Sequence, residues 1–345
     1  MPKPKAGAAW RRRWRWISWL VGAASLGAVV WVALSFSEQR DFVVLAARAR
    51  PLWLLAAAVL QVVTFVAQAE TWRVVTRAAK LRVTLATAAR LSLVKHFVDQ
   101  ALPSAGISGT VLLAGALERR GVARSVVLAA VVVETASFYA AYVLALALAL
   151  VLAATRGYTS TLVVVLAIVF GVFAATFGVA VVALSGRKSD APRWLARVPV
   201  VGTAVTLLAQ AERRLAQSPR LIAKSAVFQL VIIALDVATM WVVVRALGAN
   251  ASLSGVFASL MISSLLKTVS VVPGGLGAFE AVSVVTLRLA GVPVAVGLAA
   301  TLLFRGLTFW LLLGPGLIFA RREARGSATE PTAKRGHAAG QATAG

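Results

Sequence analysis

The chain has 345 residues, 60% of them hydrophobic, with ten tryptophans and a formal net charge of +24. It has no cysteine and only two histidines, His96 and His337, so disulfides and thiolate chemistry are excluded and neither a metal nor a cofactor is expected. The positive charge lies in loops and tails between apolar runs, with no polar domain to carry a nucleic-acid surface, so it reads as a topology signal and a contact to anionic headgroups.

In chain order, residues 1–16, "MPKPKAGAAWRRRWRW", form a basic N-terminal tail. Ile17–Phe36 is too long for an ordinary signal-peptide core and lacks a clear small-residue cleavage site, which predicts an uncleaved first helix. Trp10, Trp14, Trp16 and Trp19 then sit at the interface. A second span is predicted from Leu52 to Ala69, and Thr84–Leu117 is an apolar segment interrupted near Pro103. Long spans follow at Ser125–Ala154 and Thr161–Leu184. The polar stretch Gly186–Lys224 contains one amphipathic piece, "VTLLAQAERRLAQ". Ser225–Leu247 is another span, Leu253–Leu289 is interrupted near Pro273, and Val294–Phe319 is the last span. The tail 321–345 is rich in Ala, Gly and Thr and is expected to be disordered.

The predicted fold class is therefore all-α: a polytopic helical membrane protein with about six full crossings and two broken-helix, re-entrant hairpins within residues 17–320. On this map nearly all Lys and Arg of the loops and tails fall on one face, and the other face receives only Arg40, Arg48, Arg50 and Arg156. Both termini come out cytoplasmic by the positive-inside rule. Reading each interrupted segment as a full helix pair raises the count to ten crossings and leaves the orientation unchanged.

The stretch "SVVPGGLGAFEAVSV", Ser270–Val284, places a proline, three glycines and a glutamate at membrane depth. Pro103 set over Pro273, a shift of 170 residues, brings Leu117 onto Leu287, Gly121 onto Gly291 and Val122 onto Val292 without a gap. Val126, Leu128, Ala129 and Ala130 then fall on Val296, Leu298, Ala299 and Ala300. Two units, near 84–154 and 253–320, share the plan of apolar segment, Pro-Gly break, apolar segment, Gly-Val and long helix. Three predicted crossings between the breaks give the units opposite orientation, an inverted repeat of the transporter kind. Irregular backbone at that depth belongs where protein or a wet cavity surrounds it, and the N–H groups near Ala278 and Phe279 would favour an anion.

Asp99, Glu134, Asp236 and Glu280, with Arg90, Lys95, Lys267, Arg288 and Arg305, fall in or near apolar spans. Each costs about 2.5–3.5 kcal/mol on insertion scales, so they should face one another or water. Glu134 and Arg305 fall one position apart in the superposed repeats and are expected to meet across a central cavity. Glu280 is placed to stabilise the start of its helix, Arg90 to snorkel, and Lys95 and Lys267 to meet a lipid phosphate. There is no GxxxxGK[ST] loop, no HExxH and no GxSxG, so ATP-driven transport and these hydrolytic chemistries lose support.

"PGGLGAFE", with "LLFRGLTFWLLLGPG" after it and "LPSAGISGTVLLAGALERRGV" before it, resembles the transmembrane region of the lysylphosphatidylglycerol synthase and flippase-like (UPF0104) membrane proteins over about Ile17–Ala320. The resemblance implies a membrane domain that moves polar-headed lipids between leaflets, with Pro273, Gly274, Gly275, Glu280 and Arg305 matching the family's motif. Two departures stand out: Thr110 lies where the first break of the family often has an acid, and Thr135 rather than arginine follows Glu134. About 25 residues follow the last span, which leaves no soluble synthase domain to expect. The expected function is an ATP-independent lipid translocase rather than an enzyme. Its path is expected to use Lys95, Pro103, Glu134, Lys267, Pro273, Gly274, Gly275, Gly277, Glu280 and Arg305, and its partner is a membrane phospholipid or glycolipid. The alternatives are an ion-coupled carrier of a small solute, and an accessory subunit for glycolipid or polyprenyl-lipid metabolism.

Overall fold

The computed structural model describes residues 50–101, 107–155, 161–187, 199–269, 275, 277–310 and 314–321. The expected first span, the C-terminal tail beyond Arg321, and Pro103, Pro273 and Gly274 lie outside the described residues. Among the described residues every regular element is helical.

Helices α1 (Pro51–Ala78), α2 (Leu85–Ala101), α3 (Ile107–Arg119) and α4 (Arg124–Ala154) make up the first unit. Next come α5 (Thr161–Leu184), α6 (Pro199–Ala209) and α7 (Arg213–Ala216). The second unit comprises α8 (Pro219–Ala246), α9 (Leu253–Val269), α10 (Ala278–Leu289) and α11 (Val294–Arg305). A π-helical turn, Gly306–Trp310, extends α11, and residues 314–321 form α12. Helices α1, α4, α5 and α8 are long and apolar enough to cross a membrane. At 13 and 12 residues, α3 and α10 reach only about 20 Å, short of the ~30 Å hydrocarbon core.

The repeat is longer than the 170-residue register discloses. Both α1 and α8 have 28 residues and open with proline in the first turn, and α2 and α9 both have 17 residues. These pairs correspond at a shift of 168, so two residues separate the registers before and after the breaks. Helix ends confirm the equivalence. Gly121 and Gly291 hold φ of 83° and 88°, while Val122 N–H and Val292 N–H reach back to the Leu117 and Leu287 carbonyls. At the ends of α1 and α8 the same cap is made by Lys80 (φ 60°) and Gly248 (φ 83°), with Leu81 and Ala249 donating to Thr76 and Val244.

Lys80 therefore carries a side chain where its repeat mate has none. Left-handed backbone strains any residue with a Cβ. Lys80→Gly is expected to stabilise the protein by about 0.5–1 kcal/mol, read as a higher melting temperature in detergent. An unchanged or lower melting point would contradict the cap geometry.

The long helices pack antiparallel: Arg50 N–H donates to the Ala246 carbonyl, the Trp53 and Trp241 rings meet edge to face at 6.1 Å, and Gln61 reaches Thr239. Equivalent helices running in opposite directions give the two units opposite orientation. A core lies at each end of this crossed pair. One joins Ala57 and the C-terminal half of α8 to Phe279, Leu287 and Phe304; the other joins Trp72 and Val75 to Leu91, Leu113 and Leu117, with Leu221 and Ile222 against it. The matched pairs Leu117/Leu287, Val122/Val292, Val126/Val296, Ala129/Ala299 and Ala130/Ala300 are all buried. The coincidence in sequence is thus a shared packing face.

The amphipathic piece is shared by two helices: α6 and α7 are separated at 210–212, where Glu212 N–H turns aside to donate to the Ser125 carbonyl. One expectation is corrected: the last span is not one regular α-helix, because the turn after Arg305 widens to π geometry. The frame-shifted ladder there makes the Thr308 carbonyl an acceptor for the His96 ring at 3.2 Å.

Candidate functional site

A cavity of about 300 Å³ lies between the two units. Its walls include Gln68, Thr71 and Trp72 of α1, Ser92, Lys95 and His96 of α2, and Glu134 and Tyr142 of α4. The second unit adds Gln229 and Asp236 of α8, with Leu260, Ser264 and Lys267 of α9. Several of these are repeat mates at the 168 register: Gln68 with Asp236, Ser92 with Leu260, and His96 with Ser264. The backbone around the cavity is pseudo-symmetric, and the side chains that line it are not.

On one wall, Lys95 serves two carboxylates. Its Nζ lies 3.0 Å from Asp99 Oδ2, one turn on, and 3.7 Å from Glu134 Oε1. Asp99 Oδ1 accepts the Gly109 N–H at 2.9 Å, which places its charge at the start of α3. Gly109 leaves room for this, since a Cβ there would overlap the Lys95 carbonyl and the Asp99 carboxylate. The repeat mate of Asp99 is Lys267, so the second unit presents a cation at that position. Lys267 is exposed to the cavity and, among the described residues, has no carboxylate within 4 Å. Its stem runs where Gly275 (φ 62°) has no side chain. Asp236 Oδ1 accepts from the Gln61 amide at 3.2 Å, and that amide also donates to Thr239. The buried Ser92 hydroxyl has no hydrogen-bond partner among the described residues.

Glu280 and Arg305 are not in the cavity wall. They form a buried pair, Arg305 Nε to Glu280 Oε1 at 2.7 Å, with exposures of 4% and 5%. Glu280 Oε2 also accepts the Gly277 N–H at 2.7 Å, which closes the N-terminus of α10 (Gly277 φ 85°). The Arg305 guanidinium sits 5.1 Å over the Phe279 ring. Glu280 thus stabilises the start of its own helix, as its place in the sequence led one to expect, and the anionic group there is this internal carboxylate.

The expected meeting of Glu134 with Arg305 does not occur. Each pairs within its own unit: Glu134 with Lys95, and Arg305 with Glu280. Sequence reasoning left Asp99, Gln61, Gln68, Ser92 and Gln229 out of the site. Asp99 lies on α2 and accepts the Gly109 N–H of α3. Polar residues recurring at a shift of 168, Gln61/Gln229 and Thr71/Thr239, were the available signal. Arg90 is exposed and lies over the Phe319 ring of α12, as a snorkelling residue would. No group of three His, Asp or Glu among the described residues is arranged to hold a metal ion.

A family model described as the lysylphosphatidylglycerol synthase TM region matches residues 16–316. No curated protein matches the chain.

Proposed function

From the premise that this chain is a multi-pass membrane protein belonging to the lysylphosphatidylglycerol synthase TM region family, we propose that it moves a polar or anionic lipid headgroup between leaflets without hydrolysing ATP. It acts as a transporter rather than an enzyme, and its partner is a phospholipid or glycolipid. The observation that carries this reading is the cavity walled by both inverted units and lined with Lys95, Glu134, Asp236 and Lys267.

A charged headgroup in hydrocarbon costs several kcal/mol, and a wall of paired and unpaired charges offsets that cost. At about 300 Å³ the space suits a headgroup, not two acyl chains. The tails stay in the bilayer beside an exterior that exposes Leu52, Leu55, Val59 and Val62 of α1. Alternating access follows from rocking one unit against the other about α1 and α8. The protein sits in the cytoplasmic membrane with its basic loops and both termini inside.

One set of vesicles tests this. The purified chain is reconstituted with fluorescent anionic, cationic and neutral lipids, and the outer leaflet is quenched. Protein-dependent loss of the protected pool is the expected result. A cysteine introduced at Arg119, in a chain with no native cysteine, reports orientation by labelling from outside. A pool that stays protected with and without a proton or sodium gradient overturns the reading. Asp236, whose partner is an amide and not a cation, favours an ion-coupled carrier as the second reading. Strict dependence of solute flux on a gradient would support it.

A further inference from the structure

A second opening shares no lining residue with the central cavity. It is a groove of about 800 Å³ between α4 and α5, walled by small residues such as Ala140, Ala174 and Gly178 and by larger apolar ones such as Val143 and Leu144. One end is different in kind, because Arg187, Arg213 and Gln217 close it. From Ala174 to Ala183 the groove follows α5 for roughly 14 Å, about half of the ~30 Å hydrocarbon core. It is apolar for one leaflet's depth and basic where the headgroups begin.

The basic end is built rather than incidental. Gly186, with φ of 65° and no side chain, lets Arg213 pack directly against the end of α5. Gln217 donates to the Ser185 and Val182 carbonyls at 2.9 and 3.3 Å and accepts from Arg213 Nε at 3.0 Å. The guanidinium is therefore held by one edge. Among the described residues neither Arg187 nor Arg213 has a carboxylate within 4 Å. Two unpaired guanidinium groups beside an apolar slot match a phosphate with an acyl chain below it.

We propose that this groove binds one anionic phospholipid, with a chain between α4 and α5 and the phosphate on Arg187 and Arg213. The reading is independent of the translocase proposal. The N-terminal segment of the chain is the competing occupant, but it carries Arg11, Arg12, Arg13 and Arg15 and no acid before Glu38. Seated here it would bring more positive charge to the arginines instead of neutralising them.

Native mass spectrometry of the full chain in detergent provides the test. Phosphatidylglycerol and phosphatidylcholine are offered as probes, with inorganic phosphate as competitor. The wild type is expected to retain phosphatidylglycerol preferentially. Arg187→Gln/Arg213→Gln and, separately, Gly178→Leu each lower that retention about tenfold, and inorganic phosphate does not displace the lipid. A Cβ at Gly178 meets only ordinary contact with Tyr139 at 3.8 Å. Equal retention by wild type and variants overturns the proposal, as does displacement by phosphate alone. Should the variants not fold, a photo-crosslinking residue at Ala175 decides: adducts with phosphatidylglycerol support the site, and adducts with residues 1–49 or a second copy overturn it.

Discussion

Replacing Arg305 with alanine is expected to destabilise the protein by about 3–5 kcal/mol, the usual cost of leaving one member of a buried ion pair alone. Glu280 is 4% exposed, and one of its oxygens is already committed to the Gly277 N–H. Without Arg305 the other oxygen loses a 2.7 Å charged contact, and Phe279 loses the guanidinium over its ring. The two residues lie 25 positions apart on α10 and α11, so the loss reaches the packing of the second hairpin. Adding Glu280→Gln to Arg305→Ala should recover much of the stability. The glutamine oxygen can still accept from Gly277, and no net charge remains buried. Thermal unfolding in detergent measures both. An Arg305→Ala protein that melts with the wild type would show that this pair does not hold the hairpin. A double variant no better than the single would show that the harm comes from lost packing and not from the orphaned carboxylate.

The Gly-Val caps and the core face after them could be read from the sequence because each follows from a local rule. Left-handed backbone at Gly121 and Gly291 favours glycine, and burial of Leu117/Leu287 and Val126/Val296 demands the same apolar pattern twice. The front half of each unit was hidden by two residues of slippage at the break. An ungapped comparison in the 170 register places Gln61 and Thr71 against the wrong partners, and the equivalence of α1 with α8 vanishes. Charge partners were the least legible feature. Superposing repeats says which residues are equivalent, not which touch. Equivalent positions lie on opposite sides of a pseudo-two-fold axis, so proximity in the alignment did not bring Glu134 to Arg305. Within a unit, geometry was more informative: Lys95 and Asp99 are one helical turn apart and do pair.

Lys267→Met is expected to lower translocation of an anionic headgroup by tenfold or more while leaving the melting temperature close to that of the wild type. Lys267 and Lys95 differ in their partners. Lys95 neutralises Asp99 and Glu134, so its loss sets two carboxylates facing one another and harms both folding and transport. Lys267 has no carboxylate within 4 Å among the described residues, and methionine keeps the apolar stem that runs past Gly275. Stability should therefore change by about 0.5 kcal/mol or less. The electrostatic effect is larger. At an effective dielectric of about 20, a charge about 6 Å from a phosphate contributes roughly 3 kcal/mol, or about a hundredfold, before screening by water in the cavity. Lys267→Glu should push selectivity further, slowing anionic probes and favouring cationic ones. The measurement is the ratio of anionic to neutral lipid translocation in the same vesicles. A wild-type ratio in Lys267→Met would remove Lys267 from the headgroup path.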